Sequence, residues 1–249
     1  MIQPADPGGR SGNYGLLVTP DGGELVELPK LPCLSSGIHR SAKLALSPTG
    51  TLRGEVIDFR YGDSAMFQRY ALAEITKKED QIKPLETLLS HSVGAYQITK
   101  ASIGNLDVRD QPFEYTFSFI VPAYAKPAGD LLLVRPWVLG EKSSGILETK
   151  EPRKYPVEFE GPQHDTDTFE INIPAGYEVD DLPPPADVDY SFGSYHSKTV
   201  TEGNVIRYTR SYEIKELSVP LSKMDDLKKF YRIIASDERN TAVLKPIGH

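Results

Sequence analysis

The stretch YSFGSYHSK, residues 190–198, places three serines, a histidine and a lysine close together, and these are residue types from which nucleophilic catalysis is built. In a strand, Ser194, His196 and Lys198 share one side. Residues two apart are separated by about 6.6 Å along a strand, whereas a nucleophile and its base need heavy atoms roughly 2.6–3.2 Å apart. An orienting acid and an oxyanion hole would also be required. No G-x-S-x-G elbow lies here or elsewhere in the chain. The stretch therefore reads as the polar face of a hairpin strand beside Tyr190, Phe192 and Tyr195.

A second pair is Cys33 with His39, since cysteine and histidine together make thiolate nucleophiles. Cys33 sits in LPKLPCLSSG, between prolines and a loop, without the helix N-terminus that would lower its pKa, and reads as a buried, inert thiol. It is the single cysteine, so the chain has no internal disulfide, and no Cys/His spacing matches a zinc site. Asp165 and Asp167, Asp180 and Asp181, and Asp187 and Asp189 offer oxygens to a hard cation such as calcium. None fits an EF-hand loop, and solvated loop charge is the simpler reading. Trp137, Tyr190 and Tyr195 could form a platform for a sugar or peptide, although aromatics in a β-sandwich belong more often to its core. The residues retained as ligand contacts are Tyr190, Tyr195, His196 and Asp187. No residue is assigned to catalysis, to a cofactor or to a metal.

The elements that must position these residues follow from composition and period. The 249 residues are 25% charged and 39% hydrophobic, as in ordinary globular chains, with length for one large domain or two. Net charge is −7, and no basic run interleaved with aromatics marks a nucleic-acid partner. Apolar runs such as Leu131–Val134 are too short to span a bilayer. Met1-Ile2-Gln3-Pro4 opens without the pattern of a signal peptide, so the expectation is a cytosolic chain, or a mature or excised piece of a longer exported protein.

Residues 1–38 read as a loop and a hairpin, with strands at Gly15–Val18 and Glu24–Leu28 around a Pro-Asp-Gly-Gly turn. From 39 to 137 an α+β unit is expected. Strands through Ala42, Leu44 and Leu46 and through Ile57, Phe59 and Tyr61 precede two helices, and the strand FEYTFSFIV alternates strictly. The first helix starts at Asp63 or Ser64 with Met66, Phe67, Tyr70 and Ile75 as its stripe; the second carries Ile82, Leu85, Leu88 and Leu89 and stops at Gly94. VLGEKSSGILETKEPRKYP places a domain boundary near 138–155. The remainder, 138–249, reads as a β-sandwich-like domain. Pro183–Pro185 forms an extended connector, and NVIRYTRSYEI is a long strand. A terminal helix is capped by Ser222 and Asp225, with Leu227, Phe230, Tyr231 and Ile234 buried. The fold class is thus mainly β with α+β character.

Pro174, Gly176, Tyr177, Val179, Leu182 and Pro183, followed by Phe192-Gly193-Ser194-Tyr195, form the pattern P-x-G-Y-x-V, L-P, F-G-S-Y. With TGTLRGEV and FEYTFSFIVPAYAK, this resembles the C-terminal region of bacterial proteins that carry a transglutaminase-like, papain-like core flanked by domains of unknown function. The resemblance covers the chain from about residue 15. It implies that the family's Cys-His-Asp triad lies in a core preceding these residues. Cys33 lies outside that core's motif, and Asp6 in QPADPGG takes no role, so the chain would not be an enzyme. It further implies a periplasmic or extracellular accessory region that positions the upstream core or binds its protein or peptide substrate. The alternative is a stand-alone module binding a glycan, a peptide or a cation.

Overall fold

The computed structural model describes residues 14–28, 31–143 and 153–248; the expected loop through Asp6 and the middle of the expected boundary, 144–152, lie outside them. The order begins with a hairpin, β1 (Tyr14–Thr19) and β2 (Gly22–Glu27). Strands β3 (Gly37–Leu46) and β4 (Leu52–Tyr61) follow, then helices α1 (Asp63–Ala73) and α2 (Lys83–Ser92). Next come β5 (Gln97–Gly104), β6 (Phe113–Val121), β7 (Lys126–Ala128) and β8 (Leu131–Val134). The second half contains β9 (Val157–Glu158), β10 (Gln163–Asn172), β11 (Tyr177–Asp181), β12 (Ala186–Tyr190), β13 (Gly193–Glu202), β14 (Val205–Ile214) and β15 (Ser218–Val219). Helix α3 (Met224–Asp237) and β16 (Ala242–Pro246) complete it.

An eight-stranded sheet runs in the order β12-β13-β14-β10-β3-β4-β6-β5. Strands from both sides of residue 138 therefore share one sheet, joined where β10 pairs in parallel with β3 from His164 opposite Gly37 to Asn172 opposite Ala45. Parallel neighbours need a long crossover, and everything between β3 and β10 supplies it. The expectation of purely antiparallel strands is corrected at this one junction. A four-stranded sheet, β11-β16-β8-β7, again mixes both halves.

The two sheets bury a common core. Leu44, Val56, Phe117, Phe119, Phe169 and Ile206 from the large sheet join Leu132, Val134, Ala242 and Leu244 from the small one. A second cluster forms under α3, where Leu227, Phe230, Tyr231 and Ile234 meet Phe192, Tyr195, Tyr212 and Ile214. The strict alternation of β6 is fully realised, with Phe113, Tyr115, Phe117, Phe119 and Val121 all buried.

Three local expectations are corrected. Helix α1 buries Ala65, Gln68 and Leu72 and leaves Phe67 and Tyr70 largely exposed, because its inward face joins the apolar core through Ala65 and Leu72 and meets Arg60 and the Tyr115 hydroxyl through Gln68. Its N-terminal amide at Ser64 is satisfied by Ser36 Oγ at 3.0 Å, from outside the helix. The expected capping box of α3 is absent, since Ser222 lies in a preceding 3-10 turn and no side chain caps the helix.

Candidate functional site

The inward face of the large sheet carries a row of facing residues that crosses five strands: Arg210 on β14, Asp167 on β10, Arg40 on β3, Asp58 on β4 and Tyr115 on β6. The charges alternate in sign. Arg40 Nη1 donates to Asp167 Oδ1 at 2.9 Å and Nε to Asp58 Oδ2 at 3.0 Å. Arg210 Nε donates to the other oxygen of Asp167 at 2.7 Å, and its Nη1 to Glu238 Oε1 at 3.0 Å. Arg60 Nε adds a bond to Asp58 Oδ1 at 2.8 Å, and Gln68 links Arg60 to the Tyr115 hydroxyl.

A short strap closes over this row. The Gly140 carbonyl accepts from Arg210 Nη2 at 2.7 Å, and Glu238 accepts from the Lys142 amide at 2.7 Å and the Ser143 hydroxyl at 2.6 Å. Lys142 Nζ pairs with Asp165. Gly140 has φ +81°, and a Cβ there would overlap Arg40 Nη1, so only glycine lets the strap lie so close.

Electrostatics follow from this pairing. Burial works against the Asp58 carboxylate, but Arg40 and Arg60 outweigh it and hold its pKa below the ordinary range. Burial likewise opposes the charge of Arg210, yet Asp167 beside it holds the guanidinium more firmly protonated than usual. Glu238 moves the other way, because burial pushes its pKa up more than Arg210 lowers it. Arg40, Arg60, Arg210 and Lys142 are matched by Asp58, Asp165, Asp167 and Glu238. A paired network of this kind, with its centre buried, fixes strand register, since a slip of one residue would strand its charges on the other face.

The outward face carries a second polar band. Tyr61, Gly37, His164, Glu213, Ser194 and Asp189 lie in one row across the sheet. The adjoining row holds His39, Thr166, Ser211, His196 and Asp187. Tyr61 donates to the His164 carbonyl at 2.9 Å and stacks on His39 with centroids 4.9 Å apart. Burial, and then the neighbouring His164, lower the pKa of His39. His39 Nδ1 bonds Thr166 Oγ1 at 2.6 Å.

The residues singled out from sequence separate between these faces. Ser194 is buried and donates to Glu213 Oε2 at 2.9 Å, so its hydroxyl is engaged by a carboxylate and not by His196. His196 Nδ1 bonds Asp187 Oδ1 at 2.8 Å, and its Nε2 lies 3.6 Å from Asp189 Oδ2. One ligand atom from each of Asp187, Asp189 and His196 lies within 4.8 Å of the others. Tyr195 points inward, is fully buried and donates to Asp237 Oδ2 at 2.6 Å, which removes it from ligand contact. Tyr190 is half-buried, stacked on Phe192 at 5.1 Å. Trp137 is buried against Arg135, 4.7 Å from the ring centroid. Cys33 is partly exposed and hydrogen-bonds neither His39 nor any other histidine among the described residues.

Sequence reading missed the inward row and took Asp165 and Asp167 for loop charge, whereas both are buried on β10. The signal was phase. Arg210 falls in step with Ile206, Tyr208, Tyr212 and Ile214, and Asp165 and Asp167 in step with Phe169 and Ile171. A charge on the apolar phase of a strand is either an error of register or a buried pair.

Together these features define a mainly β, α+β protein whose large sheet is crossed by a buried ionic row. Residues 130–244 match the model of a family described as a domain of unknown function with solved structure, DUF3858. A solved structure described as a "putative protease" from Parabacteroides distasonis ATCC 8503 is similar over 49% of this chain, at 13% sequence identity and a TM-score of 0.38. The similar region spans 24% of that protein's chain. No curated protein matches this sequence.

Proposed function

We propose that this chain is a non-catalytic accessory region of an exported bacterial transglutaminase-like protein, positioning the papain-like core or binding its protein or peptide substrate. The observation that carries this reading is the β1–β2 hairpin. Tyr14, Leu16, Val18 and Leu25 share one of its faces by register and are 64–77% exposed. A two-stranded hairpin is at best marginal by itself in water, so an apolar face of this kind belongs against a partner, and the resembled family places its core on that side of the sequence. The hydrogen bond of Ser194 to Glu213, a carboxylate and not a histidine, favours chemistry residing in the core.

The test is to assay the core's amidase or cross-linking activity with and without this region attached. The reading expects activity or core stability to change on removal, and unchanged values for both overturn it.

A second reading, a cation-binding module, is favoured by the cluster of Asp187, Asp189 and His196. Imidazole with carboxylates suits zinc and similar divalent ions. Calorimetric titration with zinc and with calcium, repeated with His196→Gln, supports it if saturable binding is lost in the variant and excludes it if neither ion binds.

A further inference from the structure

A cleft of about 630 Å³ opens where the end of α2, the β6–β7 turn, β8 and the loop between α3 and β16 meet. Its charged lining has one sign. Lys126, Arg135 and Arg239 face it and no aspartate or glutamate does, in a chain whose net charge is −7.

Arg135 is held rigidly. Its Nε donates to the Trp137 carbonyl at 3.1 Å, its Nη2 to the Ser92 carbonyl at the end of α2, and its guanidinium lies over the rings of Trp137 and Tyr124. The carbonyl end of α2 offsets part of this charge and the Tyr124 hydroxyl is a further hydrogen-bond partner of the guanidinium, but no carboxylate pairs with Arg135 among the described residues. Lys126 and Arg239 are exposed and likewise have no acidic partner among those residues. Lys126 lies in a strand, so its charge does not serve a helix end.

The backbone adds an independent sign. Ala123, in the same lining, has φ +53°, a conformation rare for a residue with a side chain and concentrated at ligand-clamping sites. Val121, Pro122 and Leu133 give the cleft an apolar wall.

We propose that this cleft binds a small phosphate ester, its phosphate held by Arg135, Arg239 and Lys126 and its organic group against Val121, Pro122 and Leu133. Three permanent cations suit a dianion better than a single carboxylate, and guanidinium forks match phosphate oxygens. The volume lies within the usual range of small-molecule sites. This site is independent of the accessory role proposed above.

The test is calorimetric titration of the chain with phenyl phosphate, inorganic phosphate and acetate at constant ionic strength, repeated with the double variant Lys126→Ala/Arg239→Ala. Both side chains are exposed, and circular dichroism checks that the variant folds. Phenyl phosphate should bind more tightly than inorganic phosphate and acetate least, with the double variant weakened at least about tenfold, as expected for lost charge-assisted bonds. Absent saturable binding, an unchanged affinity in the variant, or acetate binding as tightly as the phosphates would each overturn the proposal.

Discussion

Asp167 accepts hydrogen bonds from two buried arginines at once, Arg40 and Arg210. Removing it leaves two buried guanidinium groups facing one another's charge. Breaking a buried pair costs about 3–5 kcal/mol, so Asp167→Ala should lower the free energy of unfolding in urea by at least that amount. Asp58 has a distinct pH signature. Its carboxyl pKa lies lower in the folded chain than in the unfolded one, so its contribution is present above the unfolded value and disappears as pH falls through the folded value. Glu238 has the opposite sign: its folded pKa is raised, so its contribution is present below the ordinary glutamate value and is lost as pH rises through the folded one. In urea titrations from acid to neutral pH, Asp58→Asn should remove part of the acid-side loss of stability. Glu238→Gln should remove part of the decline on the neutral side.

At the scale of elements, strands with one apolar phase were legible because period alone defines them, as in β6 and β14. Helix α2 was legible too, since Leu85 and Leu89 face a wholly apolar cluster. Helix α1 was legible in its position but not in its buried face, because its inner residue Gln68 answers Arg60 and Tyr115, partners that no local pattern announces. Short strands such as β8 and β16 escaped for the same reason, as their pairing partner is remote in sequence. Of the candidate site residues, Asp187 and His196 do meet across β12 and β13, while Tyr195, one position from His196, points to the opposite face because strand side chains alternate. The strap offers a direct test of element placement. Gly140→Ala would meet both an unfavourable φ and the side chain of Arg40, whereas Gly203, at φ +59° in the β13–β14 turn, has open space for a Cβ. Thermal unfolding should show Gly140→Ala costing well over 2 kcal/mol and Gly203→Ala about 1 kcal/mol.

At the scale of the molecule, one sheet spans both sides of residue 138 and the β3–β10 pair is its seam. Separate pieces 39–137 and 138–249 would each expose an unpaired strand and half of the ionic row. Expressed alone, each should lack a cooperative unfolding transition, and co-expression should restore it. The proposed seating of the β1–β2 hairpin on a neighbouring core is read by amide hydrogen exchange across residues 14–28. Fast exchange is expected there in the isolated chain and strong protection when the core is attached; equal exchange in the two would overturn the accessory role.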